Sequence, residues 1–143
     1  MTGLAALVAL LFAFPPPPSL EVRDAWVRAT SAARTVSSAY FRIDNHTGAP
    51  VALLKVAVDG ARNAELHAVV EVNGRTMMQP LERLSIPARG SVTLAPGGTH
   101  LMVTGVTRPF RAGSHVRLTL TFDGRRTRTV QAIVRPLDAM SAR

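Results

Sequence analysis

Four side chains in this sequence could do chemistry together: His67, Met78, His100 and Met102. Imidazole is a borderline metal ligand and thioether a soft one, and both are uncharged when they coordinate. Thioether sulfur binds Cu(I) well and Zn(II), Mg(II) or Ca(II) poorly, so two imidazoles with two thioethers select monovalent copper. The 143 residues contain no cysteine. A thiolate site is thereby excluded, and with it the usual blue-copper electron carrier. Neutral ligands leave the ion its single positive charge and can be replaced one at a time by those of an acceptor, which suits a carrier.

Taken singly, these residues have plainer readings. A lone histidine on a strand is usually a surface residue, and Met77-Met78 could fill gaps in a core. His46 falls in a turn and His115 on the polar row of a strand, and both read as solvated. Met1 and Met140 have no role in the site. Glu65 and Glu71 share a strand face with His67, where carboxylates are ordinarily solvated. The sequence has no G-x-S-x-G, H-E-x-x-H or P-loop motif, and no enzyme activity is expected.

The elements that must position the four residues are short strands. In His115–Asp123, apolar Val116, Leu118, Leu120 and Phe122 alternate with polar residues, the period of a strand with one face in a core. Further strands are expected at Val22–Arg28, Ser38–Ile43, Ala52–Val58, Ala64–Val72, Thr76–Leu84, Ser91–Leu94, Leu101–Gly105 and Thr127–Val134. Turn signals separate them, among them Asp59-Gly60, Asn73-Gly74, Pro96-Gly97-Gly98 and Asp123-Gly124. Regular short strands imply an all-β antiparallel sandwich or barrel.

Asn73-Gly74 is the strongest hairpin signal in the chain. A two-residue turn there sets Val72 opposite Arg75, Val69 opposite Met78 and His67 opposite Pro80. His67 and Met78 then share one face as diagonal neighbours, roughly 7–8 Å apart at the backbone. Leu66, Ala68, Val70 and Val72 form the apolar row, so His67 lies on the other face. His100-Leu101-Met102 likewise puts both ligands on one side of a strand. Each half contributes one histidine and one methionine; whether folding joins the halves is not written in either segment.

Length and charge bound the rest. A chain of 143 residues holds one domain plus an N-terminal extension, and can bury a core without disulfide or metal staples. The formal charge is +8, almost all arginine, with Lys55 the only lysine. Arginine-rich codon usage accounts for this as well as an anionic partner does. The basic residues are scattered, and one Trp and one Tyr give bases little to stack on, so no nucleic-acid partner is expected. Leu4–Phe14 is an unbroken apolar run followed by Pro15–Pro18. It is too short for a bilayer span, which needs roughly 20 residues, and reads as an export signal or N-terminal anchor. No cysteine follows it, so no lipoprotein is expected.

The spacing H-x10-M-x21-H-x-M, from His67 through Met78 and His100 to Met102, resembles that of the periplasmic copper chaperones written PCu(A)C. Asp24-Ala25-Trp26-Val27-Arg28 is similar to the family's opening strand. Ala39-Tyr40-Phe41-Arg42-Ile43-Asp44-Asn45 is similar to its AY-x-x-I-x-N segment. Glu65-Leu66-His67 and Pro96-Gly97-Gly98-Thr99-His100-Leu101-Met102 resemble its two ligand-bearing stretches. The likeness runs from about Val22 to Val134. It implies a cupredoxin-like Greek-key β-sandwich binding one Cu(I) through His67, Met78, His100 and Met102. It also implies delivery of copper to the dinuclear centre of cytochrome c oxidase subunit II, often alongside a thioredoxin-like copper chaperone. Some members carry a His- and Met-rich tail that binds Cu(II); Arg135–Arg143 contains no histidine, so such a site is not expected here.

The resulting expectation is a periplasmic, monomeric metallochaperone. Residues 1–20 form the export signal or anchor, through which the chain could associate with a membrane. Residues 21–137 form the copper-binding sandwich, and 138–143 a short tail. The alternatives are a protein that buffers Cu(I) without a dedicated acceptor, and a basic sandwich acting as an interaction module.

Overall fold

The computed structural model describes residues 11–14 and 17–136. Most of the apolar leader and the tail after Pro136 lie outside the described residues. Ten strands follow in order: β1 Leu20–Arg28, β2 Val36–Asn45, β3 Val51–Val58, β4 Ala61–Val72, β5 Arg75–Leu81, β6 Leu84–Ile86, β7 Ser91–Thr93, β8 His100–Val106, β9 His115–Phe122 and β10 Arg126–Arg135. No described helix is long and apolar enough to cross a membrane.

Alternation decides which face of each strand turns inward. In β9, Val116, Leu118, Leu120 and Phe122 are buried, whereas His115 and Arg117 are exposed. The strands form one hydrogen-bonded path, β5-β4-β8-β2-β1-β10-β9-β3-β6, with β7 pairing on β2. The path folds over a single core that joins Phe41 and Ile43 of β2 and Leu101 and Val103 of β8 to Leu53 of β3 and Leu118 and Leu120 of β9. Crossing connections carry the chain from β2 to β3 and from β8 to β9, as in a Greek-key sandwich.

The strand pairing departs from the expected all-antiparallel arrangement in one place. β1 and β10 run parallel, with Trp26 opposite Ile133 and Val27 opposite Val134. The sheet is therefore mixed, because the first and last strands meet after the rest of the chain has wound between them. The expected strand Thr76–Leu84 is also two strands. β5 stays with β4, while Leu84–Ile86 crosses to pair with β3 as β6 and buries Ile86 completely. Asn45 anchors this crossing. Its buried amide donates to the carbonyls of Ala49 at 2.9 Å and Pro87 at 3.1 Å, and its Oδ1 accepts from the Thr47 amide at 3.0 Å.

Candidate metal centre

Two turns place the candidate ligands. Asn73 and Gly74 both have positive φ, 52° and 75°, as a two-residue primed hairpin turn requires. The register that follows is Val72 opposite Arg75, Val69 opposite Met78 and His67 opposite Pro80. The second turn is Ala95-Pro96-Gly97-Gly98, where the Gly98 amide donates to the Ala95 carbonyl at 3.0 Å and Gly97 has φ 82°. Proline at the second position and a left-handed glycine at the third match a type II turn. It leads directly into β8 and sets the Gly98 carbonyl 2.9 Å from Nδ1 of His100.

β4 and β8 are neighbours in the sheet, and their register sets His67 directly opposite His100. This long-range pairing joins the two halves of the constellation. The imidazole centroids are 5.6 Å apart with planes inclined by 53°. Met102, two residues beyond His100, lies on the same face, opposite Glu65 on one side and Ser38 on the other. The inner face of the same strands carries Leu66, Leu101 and Val103, all buried. His67, His100, Met102 and Met78 thus share the outer face. Three of them sit on two adjacent central strands, and Met78 stands diagonally on β5, the edge strand.

Their environments differ. His100 is buried, at 8 % exposure, and its Nδ1–H donates to the Gly98 carbonyl, which leaves Nε2 with a free lone pair. Met102 is half-buried and lines a cleft of about 390 Å³ with Arg28, Arg34, Ser37 and Ser38. The His67 side chain is 14 % exposed, and its Nε2 lies 3.2 Å from Oε2 of Glu65. Its Nδ1 is buried without a hydrogen-bond partner. An orphaned buried polar atom costs about 1–3 kcal/mol, a penalty that a metal ion at this nitrogen would relieve. The 5.6 Å between the ring centroids leaves room for one ion between the two imidazoles. Met78 is 56 % exposed, because β8 begins at His100 and only β5 pairs with β4 beyond His67. Ala68–Val72 and Arg75–Gln79 therefore extend as a two-stranded ribbon past the sandwich.

The row containing the histidines continues across the sheet. One step beyond the pairing of Ala39 with Leu101, Tyr40 falls beside His100. Tyr40 in turn pairs with Trp26, their rings 4.5 Å apart. The only tryptophan of the chain is thus two strands from His100, about 10 Å at normal strand spacing.

Glu65 is exposed, as expected of a solvated carboxylate, and it also touches His67. The shared strand face, two residues apart, brings the two side chains together, and the β4–β8 pairing adds Met102 opposite Glu65. His46 was also read as solvated. It lies 3.1 Å from Glu21, and Glu21, Asp44 and His46 form a tight acidic cluster, the one such group of three among the described residues. Arg23 and Arg42 approach the two oxygens of Asp44 at 2.7 and 2.8 Å. These guanidiniums, the Arg42 hydrogen bond foremost, hold the buried Asp44 carboxyl below its ordinary range although burial pushes it up. Two fixed cations already neutralise this cluster, so it does not attract a third. His115 is exposed on β9, as expected of the polar row.

Comparison with known proteins shows the family and the fold. The LpqE-like family, described as "Putative lipoprotein LpqE-like", matches residues 20–134. The "Putative lipoprotein Lxx21020" of Leifsonia xyli subsp. xyli (strain CTCB07) is 34% identical over 118 residues, covering 81% of this chain and 69% of that protein. The solution structure of apo-DR1885 from Deinococcus radiodurans is 32% identical, with TM-score 0.64 over 95% of this chain and 89% of that one. The solution structure of CuI-DR1885 is 30% identical, with TM-score 0.66 over 84% of this chain and 79% of that one. The fold also matches a copper-bound PCuAC domain from PmoF2, at 22% identity and TM-score 0.69 over 82% of this chain and 92% of that one.

Proposed function

The chain belongs to the LpqE-like family, and from that premise we propose that it is an extracytoplasmic Cu(I) carrier that uses His67, Met78, His100 and Met102 as ligands. The observation that carries the reading is the cross-strand opposition of His67 and His100, with both methionines on the same outer face. The related DR1885 has been solved with Cu(I) bound. In this chain the donor set is neutral and soft, which favours Cu(I) over Zn(II).

The residues divide the work of a carrier. His100 is fixed by the Gly98 carbonyl and offers Nε2 from a buried position. Met102 closes the site on the side of the cleft, and Met78 closes it from the exposed ribbon. An acceptor reaching the outer face meets Met78 first and can replace donors stepwise. The acceptor in this reading is the apo copper domain of cytochrome c oxidase subunit II, with a thioredoxin-like copper chaperone as a second partner. The role is carriage of a metal ion, not catalysis. The lipoprotein names of the relatives and the apolar leader support a location outside the cytoplasm, in the periplasm.

Anaerobic titration of the protein with Cu(I), followed by mixing with the apo oxidase domain, tests this. One equivalent of copper should bind, quench Trp26 fluorescence and then move to the oxidase domain. Binding without transfer would point to a copper buffer. Absence of Cu(I) binding would refute the reading.

A further inference from the structure

The two histidines facing each other across β4 and β8 are held by different nitrogens. On His100 the Nδ1–H is committed to the Gly98 carbonyl at 2.9 Å. On His67 the partnered nitrogen is Nε2, 3.2 Å from a Glu65 carboxylate oxygen. A carboxylate only accepts, so this contact requires Nε2 to carry the hydrogen. Nδ1 of His67 then bears the bare lone pair, and that atom is buried without a partner. Glu65 lies on the ligand face directly opposite Met102.

We propose that Glu65 is a positioning residue of the copper site: it locks His67 in the Nε2–H tautomer, so that His67 offers copper Nδ1 while His100 offers Nε2. The inference rests on the copper reading above and deepens it by assigning the donor atoms. The carboxylate orients the ring and makes its other nitrogen a better donor, as partners of metal-bound histidines commonly do. Nδ1 sits closer to the backbone than Nε2, so His67 brings the ion down toward β4. His100 reaches outward from β8 with its far nitrogen. The asymmetry lets two side chains facing each other at the same level share one ion without their ring tips colliding. It also keeps the Glu65 carboxylate as an acceptor to imidazole, not as a fifth ligand.

Imidazole nitrogen NMR on the full chain reads this directly, at about pH 8, above the ordinary imidazole range. The copper-free protein should show His67 as the Nε2–H tautomer and His100 as the Nδ1–H tautomer. Cu(I) should shift the unprotonated nitrogen of each ring. Glu65→Ala should let His67 sample both tautomers and should weaken Cu(I) binding by about tenfold. Glu65→Gln, whose amide oxygen can still accept from Nε2–H, should keep the tautomer and most of the affinity. Glu65 is exposed, so the amide spectrum should show both variants folded. Finding His67 as the Nδ1–H tautomer, or copper on its Nε2, would overturn the inference while leaving the copper reading intact. Equal losses for Ala and Gln would also overturn it, because charge and not positioning would then be the cause. Failure to take up Cu(I) at all would overturn both.

Discussion

The two methionines offer the sharpest test, because they share a chemistry and differ in structural load. Met78 is 56 % exposed on the ribbon, so Met78→Ala should change stability by no more than about 0.5 kcal/mol. Met102 is half-buried between Glu65 and Ser38. A fully buried methionine truncated to alanine costs about 2–5 kcal/mol, so half-burial sets the Met102→Ala loss at about 1–2 kcal/mol. For a domain of this size that lowers the melting temperature by about 4–8 °C. Copper should ignore this difference. Each variant loses one thioether, and loss of a direct ligand should cost at least the tenfold or so that outer partners command. Zn(II) binding should change little in either, since thioether contributes little to it. Anaerobic competition with a chromophoric Cu(I) chelator reads the affinity, and thermal melts read the stability. If Met78→Ala kept full Cu(I) affinity while Met102→Ala lost both affinity and stability, the effect would follow packing and not ligation. Met78 would then not be a ligand.

Three other outcomes follow from the structure. Gly105 has φ 65°, and a Cβ there would lie 2.8 Å from Cβ of Arg62; Gly105→Ala should therefore destabilise the β4–β8 pairing by about 1–3 kcal/mol in chemical denaturation, and an unchanged midpoint would show that the strands yield freely. Asp44 has a carboxyl lowered by Arg42 and Arg23, so its stabilising effect is complete above 3.8 and fades as pH falls below that value toward the folded one; Asp44→Asn should be less stable than the parent at neutral pH, with a gap that closes in acid, and a gap independent of pH would refute the ion-pair account. Transfer of copper to an acidic acceptor should slow as salt rises, because the +8 charge acts through a field screened within about 8 Å at physiological ionic strength. Stopped-flow rates that are identical at low and high salt would leave the arginines no part in the encounter.

Local chemistry made part of this legible in the sequence. The hairpin register around Asn73-Gly74 is as expected residue by residue, because a two-residue turn admits only one pairing. Period-two alternation gave the inner and outer faces of β9 and the common face of His100 and Met102. The meeting of His67 with His100 was not legible, since it depends on β8 inserting beside β4 across a long stretch of chain. The same pairing sets Met102 opposite Glu65. The break between β5 and β6 was missed: the expected strand runs through to Leu84, although Leu81 and Leu84 fall in opposite phases of a period-two pattern. What separates them is the demand of β3 for an edge partner, met only in three dimensions. The apolar row of β4 was over-read: Leu66 is buried, but Val72 is 47 % exposed, because the ribbon outruns the layer that would cover it.

The parallel pairing of β1 with β10 gives the molecule a direction. Leu20 enters beside Asn45, whereas Arg135 leaves beside Arg28, so the two ends of the domain depart from opposite poles. The histidine row crosses between these poles, level with Tyr40 and Trp26, and Tyr40 lies near the middle of β2. The β4–β5 ribbon that carries Met78 runs from this row toward the Leu20 pole, whereas Met102 lies on its Arg135 side. A surface joined ahead of Leu20 would therefore stand on the Met78 side of the ligand face. One joined after Arg135 would stand on the Met102 side, so the two tethers should hinder opposite halves of the site.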